Sequence, residues 1–245
     1  QHTAFAFDRW TTRYANIVTL GTPDSCNFLR NTFPDNQVEY LPTKPCSLPQ
    51  PTSHEKLQNP QGPDGRLIAA YLADMSFIRN AEGATWFIEK VLPAIPEAVR
   101  RQYHFQFIGR EPDPNPELGS LPVGSSVEFM GFVDDLTTAL HMAQAAFIPV
   151  FGGNGVRLKT LTLLGTGLPT VSTPDALEGL DAIHGHTVLE ATSADEFADA
   201  FEQLLDADLR QQLSQNSLQI MEKFLDEEED AETALAFSKT IANKK

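Results

Sequence analysis

Between residues 66 and 190, short apolar runs recur, and most are followed by a stretch whose apolar positions fall three and four apart. The runs Arg66–Leu72, His104–Gly109, Val127–Gly131, Ala146–Val150, Leu168–Thr173 and Thr187–Glu190 are short and largely apolar, which predicts strands buried on both faces. The stretches between them predict helices. Asn80 is placed to cap Ala81–Leu92, which carries Ala84, Phe87, Ile88 and Val91 on one face. Asp134 is placed to cap Asp135–Ala145, and Gly155–Thr166 carries Leu158, Leu161 and Leu164 on a stripe. Ser193 and Glu196 form a capping-box pair ahead of Phe197 and Phe201, and helices over Leu209–Phe224 and about 231–242 close the chain. Strand and helix alternating at this scale mean βαβ units: an α/β fold with a doubly wound, Rossmann-like parallel sheet.

The chain before residue 66 reads differently. Ile17–Leu20 and Gln37–Leu41 are candidate strands flanking a candidate helix over Asp24–Asn31, one short αβ unit that is too small for a core of its own. Six prolines (Pro42, Pro45, Pro49, Pro51, Pro60 and Pro63) then predict irregular or extended backbone. The expected organisation is an N-terminal extension, or the remnant of a larger domain, over 1–42. A linker over 43–65 and a main domain with C-terminal helices over 66–245 follow. A second proline cluster, Glu111–Pro122, predicts a surface loop.

Charge narrows the function. The 245 residues hold 33 acidic against 18 basic side chains, a net charge of −15. Such a chain lacks the Lys/Arg excess that neutralises nucleic-acid phosphates or grips anionic lipid. No apolar run reaches the length of a membrane span, no signal-peptide pattern opens the sequence, and Cys26 and Cys46 are too few for a disulfide scaffold. A cytoplasmic setting is expected, with no metal and no cofactor.

In an open α/β sheet, ligands lie at the loops leaving the carboxyl ends of the strands. The loop Pro149–Lys159 leaves one such strand, and Gly152, Gly153 and Gly155 let its backbone N–H groups approach a ligand closely. Arg157 and Lys159 follow at a helix start, where the helix dipole disfavours cations unless an anion is bound between them. A glycine-rich turn with two solvated cations is the alternative. The spacing fits neither a Walker A loop nor a dinucleotide fingerprint.

Taken in order, several segments resemble the C-terminal domain of retaining GT-B glycosyltransferases of family 4. They are Asn80-x₅-Trp86-Phe87-x₄-Leu92-Pro93, Phe107-Ile108-Gly109, Val127-x-Phe129-x-Gly131-Phe132-Val133-x-Asp135-Leu136, Pro149-x₃-Gly153-x-Gly155-x-Arg157-x-Lys159, Gly167-x-Pro169-x-Val171-x-Thr173 and Glu178-Gly179-Leu180. The resemblance runs from about 67 to about 224. The stretch 15–42 is similar to the last unit of the family's N-terminal domain.

The resemblance implies a UDP- or GDP-sugar donor, a sugar, lipid or protein acceptor, and a further N-terminal half or partner chain. It implies that Arg157 and Lys159 hold the donor diphosphate and stabilise the departing nucleotide. It also implies that Phe132 and Val133 lie in the turn whose backbone reads the base, and that Gly153, Asn154, Gly155 and Val156 lie near the sugar and pyrophosphate. Two positions depart from the family. Thr162 stands where a Glu binds the donor ribose, and Ala73 stands where a glycine ends the first strand, adding a methyl where phosphate would approach. These departures favour a second expectation, a non-catalytic domain that keeps the fold as an interaction or scaffold surface.

The remaining polar features have plainer readings. Asp206-x-Asp208 has the form of a metal-binding pair but lies between helices, where Asp caps. His184 and His186 flank Gly185 at a strand entry as structural or exposed side chains. Glu178 is either a turn carboxylate or a group facing the donor cleft, and Asp226–Asp230 is a solvated acidic run.

Overall fold

The computed structural model describes residues 17–20, 23–40, 50–60, 62–110, 126–153 and 155–224. The strand β1 (Ile17–Leu20), the helix α1 (Pro23–Thr32) and the strand β2 (Gln37–Tyr40) form the expected αβ unit, with Ile17 opposite Gln37 in a parallel pair. Arg30 fastens the unit by donating twice to the Val38 carbonyl, at 2.8 and 3.1 Å.

The main sheet has six parallel strands: β3 (Leu67–Leu72), β4 (Tyr103–Ile108), β5 (Val127–Gly131), β6 (Ala145–Ile148), β7 (Thr170–Ser172) and β8 (Leu189–Glu190). Their order is β5-β4-β3-β6-β7-β8. The chain winds outward from β3 to β5, returns to the centre, and winds outward again from β6. The loops after β3 and β6 therefore diverge, and a crevice opens between them. Helices fill the connections: α3 (Ile78–Trp86), α4 (Glu97–Arg100), α5 (Leu136–His141), α6 (Leu158–Gly165), α7 (Ala194–Gln203) and α8 (Ala207–Phe224), preceded by a short α2 (His54–Gln58).

Both faces of the sheet are buried along β3, β4, β6 and β7, which is why these strands read as largely apolar runs, whereas the edge strand β5, expected to be buried on both faces, exposes Glu128 and Met130. In β3, Leu67, Ala69 and Tyr71 enter one core and Ile68 and Ala70 the other. The first core is aromatic: Tyr71, Phe87, Phe105, Phe107, Phe147 and Phe201 are all buried, and Phe87 stacks on Phe147 at 4.1 Å between centroids. Offset and edge-on ring pairs of this kind add to the area they bury.

Several sequence expectations are corrected. Asn80 caps nothing: α3 starts earlier, after Phe77, and runs through a π turn (Phe87–Val91) into a last turn at Leu92–Ala94. Asp135, not Asp134, caps α5, because its carboxylate reaches the Thr138 N–H at 3.0 Å. Helix α6 starts at Leu158 rather than Gly155, leaving Arg157 at the cap position and the glycines as open loop. Part of the proline-rich stretch is ordered against the main domain: α2 buries Leu57 among Ile68, Leu140 and Leu163. The Ala73 methyl is packed in the aromatic core. The second proline cluster, the acidic run, the last expected helix and Cys46 lie outside the described residues.

Candidate functional site

The site is built on the loops after β3, β6 and β7. The glycine bend after β6 needs its glycines. Gly152, Gly153 and Gly155 have φ of 66°, 91° and 96°, a region L side chains rarely adopt. A Cβ at Gly153 would also stand 3.1 Å from the Arg157 guanidinium, which packs against the bend. Phe151 pins the start of the bend to α3 by packing edge-on to Trp86 at 4.8 Å.

Arg157 faces this bend. Its Nη2 donates to the Gly152 carbonyl at 2.6 Å and its Nε to the Asp175 carbonyl at 3.1 Å. Lys159, two residues on, is partly buried, and its Nζ donates to Asn80 Oδ1 at 2.6 Å. The Tyr71 hydroxyl lies 3.5 Å from the same nitrogen and the Tyr71 ring centroid 5.1 Å away, a cation–π arrangement. Burial, and then the charge of Arg157, push Lys159 from its usual 10.5 down to about 7. Burial likewise lowers Arg157, with Glu178 and Asp175 opposing that shift. Among the described residues neither cation has a carboxylate within ion-pair distance. Two mutually repelling cations, of which Arg157 alone lies in the field of nearby carboxylates, favour an added anion at Lys159.

The third loop supplies acids. After β7, a 3₁₀ turn (Pro174–Leu177) presents Asp175, whose Oδ2 accepts the Gly152 N–H at 2.6 Å. Glu178 Oε2 accepts the Gly155 N–H at 2.9 Å. Thr160 ties α6 to the same turn by donating to the Ala176 carbonyl at 2.8 Å. A further cation, Arg79, donates to the Phe151 carbonyl at 3.2 Å.

Of the residues named from sequence, Arg157, Lys159, Gly153 and Gly155 share one loop and helix start. Phe132 and Val133 lie at the same carboxyl edge but after β5, on the far side of β4 and β3; Phe132 is 81% exposed, while Val133 packs inward. The Val156 side chain packs toward Leu161 and Leu177, which leaves its backbone for any ligand. Thr162 spends its hydroxyl hydrogen on the Leu158 carbonyl at 2.9 Å, one turn back. Asn154 lies outside the described residues.

Sequence reading missed Tyr71, Arg79 and Asp175, and took Asn80 for a cap. Tyr71 and Asn80 reach Lys159 across 88 and 79 residues of chain, a pairing no local pattern discloses. The plainer readings of other residues agree with the contacts seen. Asp206 Oδ1 accepts the Asp208 N–H at 2.9 Å, His184 accepts the Glu190 N–H at 3.0 Å, and His186 contacts Asn216.

Strand order makes this a doubly wound, Rossmann-like parallel sheet with the glycine bend at its carboxyl edge. The family model of the glycosyl transferases group 1 matches residues 67–207, and the chain belongs to that family. No curated protein matches it in sequence. Among solved structures, it is similar to sucrose-phosphate synthase from Thermosynechococcus elongatus, with a TM-score of 0.72 and 15% identity over 100% of this chain and 63% of that one. HepE from Anabaena, solved with UDP-glucose, gives 0.70 and 13% over 93% of this chain and 65% of that one. The C-terminal domain of the glycosyl transferase group 1 family protein LpcC from Francisella tularensis gives 0.56 and 16% over 72% and 95%. The chain thus spans less than two thirds of the length of the first two. Among the described residues no helix is long and apolar enough to cross a membrane.

Proposed function

We propose that the chain is the nucleotide-sugar-binding, C-terminal half of a retaining family 4 glycosyltransferase. The observation that carries this reading is the pair Arg157 and Lys159 at the crevice between β3 and β6, partly buried, mutually repelling and, among the described residues, without a carboxylate within ion-pair distance. As a glycosidic bond to a nucleoside diphosphate breaks, negative charge grows on the leaving phosphate. A guanidinium fork and an ammonium held in place stabilise that charge without a metal ion. Backbone N–H groups of the glycine bend add dipoles of the same sense.

In this reading Gly153, Asn154, Gly155 and Val156 line the sugar and pyrophosphate, Phe132 and Val133 lie at the base, and Thr162 stands near the ribose. HepE binds UDP-glucose on the same fold, which supports a UDP- or GDP-sugar donor. The acceptor side belongs to a further N-terminal half, of which 1–42 is a remnant, or to a partner chain, and the donor domain over 66–245 also takes in α2 of the proline-rich stretch. Exposed Phe77, Ile78, Phe132 and Phe151 along the sheet's carboxyl edge support a covering partner there. The chain works in the cytoplasm and alone transfers no sugar.

Isothermal titration with UDP and GDP tests donor recognition. Saturable binding that Arg157→Ala or Lys159→Ala abolishes supports it; no heat at millimolar nucleotide refutes it.

A second reading is a non-catalytic domain that keeps the fold as an interaction or scaffold surface. It is favoured by Thr162, whose hydroxyl is engaged within its own helix, and by Asp175 and Glu178, which occupy loop N–H groups a phosphate would use. Recovery of a partner chain that is indifferent to both cation substitutions would support this reading.

A further inference from the structure

Asn80 stands on α3 where a cap is expected, yet its side chain is turned to another task. Nδ2 donates to the Asp74 carbonyl at 2.7 Å, in the loop after β3, which aims Oδ1 at Lys159 Nζ, 2.6 Å away. Its backbone carbonyl accepts the Tyr71 hydroxyl at 3.1 Å, and that hydroxyl also lies 3.5 Å from Lys159 Nζ. The amide is thereby oriented chemically: reversed, it would set NH₂ against ammonium and oxygen against oxygen. Only a side chain with one acceptor and one donor end satisfies both neighbours. Aspartate would pair with Lys159 but repel the Asp74 carbonyl, and an aliphatic residue would serve neither.

Resting on the donor-site reading above, we propose that Asn80 is the positioning residue of Lys159. It fixes the ammonium beside Tyr71 through neutral acceptors, so that the charge stays open to a diphosphate.

The groups around Lys159 support this division of labour. Tyr71, on β3, is buried, which raises its pKa and keeps it an uncharged phenol. Arg157, on the glycine loop, is a like charge. The acids of the β7 turn, Asp175 and Glu178, and the cation Arg79 on α3 act on Arg157, while the hydrogen bonds of Lys159 go to Asn80 and Tyr71. A carboxylate at position 80 would give Lys159 a counter-ion that none of the described residues supplies and would compete with any bound anion. An amide holds the ammonium in place yet leaves it unneutralised, at the cost of a depressed pKa near 7.

The test uses the full chain carrying Asn80→Asp or Asn80→Ala, with two readouts. UDP affinity is measured by calorimetry between pH 6 and 9. Lys159 titration is measured without ligand by competitive acylation and mass spectrometry. Asn80→Asp is expected to raise the Lys159 pKa by more than one unit and to weaken UDP about tenfold across the range. Asn80→Ala is expected to weaken UDP severalfold, with the loss deepening as pH rises.

Should Asn80→Ala not fold, the near-isosteric Asn80→Asp carries both readouts. If the wild type binds UDP while folded variants match it in affinity and in Lys159 titration, the proposal is overturned. If the wild type binds neither UDP nor GDP, the donor reading fails on its own. The ligand-free titration still decides whether Asn80 governs Lys159, and an unchanged Lys159 pKa in Asn80→Asp overturns the positioning role.

Discussion

The Asp175 carboxylate sits on the Gly152 N–H at 2.6 Å, so the glycine bend already holds an anion supplied by its own chain. Glu178 does the same at the Gly155 N–H. Both acids also draw on the field of Arg157. A diphosphate entering the bend must displace these carboxylates or share the cation with them.

Neutralising an acid while keeping its shape should therefore favour the incoming anion. Asp175→Asn and Glu178→Gln retain an oxygen acceptor but lose the charge-assisted part of the bond, about 1 kcal/mol each. Calorimetric UDP titration should show each variant binding roughly fivefold tighter than wild type. Weaker binding by both would mean that the carboxylates organise the bend for its ligand rather than compete with it.

Lys159 makes the site's response to pH predictable in sign. Its pKa is about 7 folded and 10.5 as an ordinary side chain, so between these values the unfolded chain holds the extra proton. Stability of the ligand-free protein should accordingly rise as pH increases from 7 toward 10.5, with the full penalty present below pH 7. Anion affinity should run the opposite way, falling as Lys159 loses its proton above pH 7. Lys159→Met removes the penalty and the anion partner together. The variant's thermal midpoint at pH 7 should rise by about 3 °C or more while UDP binding disappears. Differential scanning fluorimetry across pH reads the first effect and calorimetry the second.

The contrast between what was legible and what was not follows from the range of the interactions. Strands such as Leu67–Leu72 announce themselves because burial on both faces demands an unbroken apolar run, and the order of such runs implied the parallel sheet. Arg157 and Lys159 were legible because glycines, cations and a helix start are neighbours in sequence. The partners of Lys159 were not. Asn80 before an apolar stripe has the appearance of a cap, and only the contact with a residue 79 positions away reveals its use. Element ends are less legible for a local reason: Asp134 and its neighbour Asp135 are both able to cap, and only the contact with the Thr138 N–H singles out Asp135. In the proline-rich stretch, backbone stiffness predicts irregular chain but says nothing of Leu57, whose burial orders α2.

Gly83 sets how closely α3 approaches the loop after β6. A Cβ there would lie 2.1 Å from the Pro149 carbonyl oxygen, a backbone atom that cannot move aside cheaply. Helix propensity alone favours alanine over glycine by about 1 kcal/mol. Gly83→Ala should nonetheless lower stability by roughly 2 kcal/mol through overpacking, a drop of about 4–8 °C in Tm. Since Asn80 lies on the same helix and holds Lys159 of α6, UDP affinity should fall as well. A stabilised Gly83→Ala protein would show that α3 can retreat freely, contrary to the close approach described.

Arg210 carries the last prediction, because it decides whether the proline-rich stretch is integral to the fold. It is 2% exposed and donates to four carbonyls: Leu57 and Gln58 in α2, Leu204 at the end of α7 and Leu205 beyond it. Removing it leaves these acceptors without their donor, each buried one costing on the order of 1–3 kcal/mol. Arg210→Met, which keeps much of the apolar stem, should lose about 3 kcal/mol or more by urea unfolding. Arg210→Lys should restore little, because three donors on a point charge cannot replace a planar fork that reaches four oxygens. Hydrogen exchange should place the first loosening at His54–Gln58 in both variants. Exchange that accelerates only around α8 would instead assign Arg210 to the C-terminal helices and leave α2 independent of it.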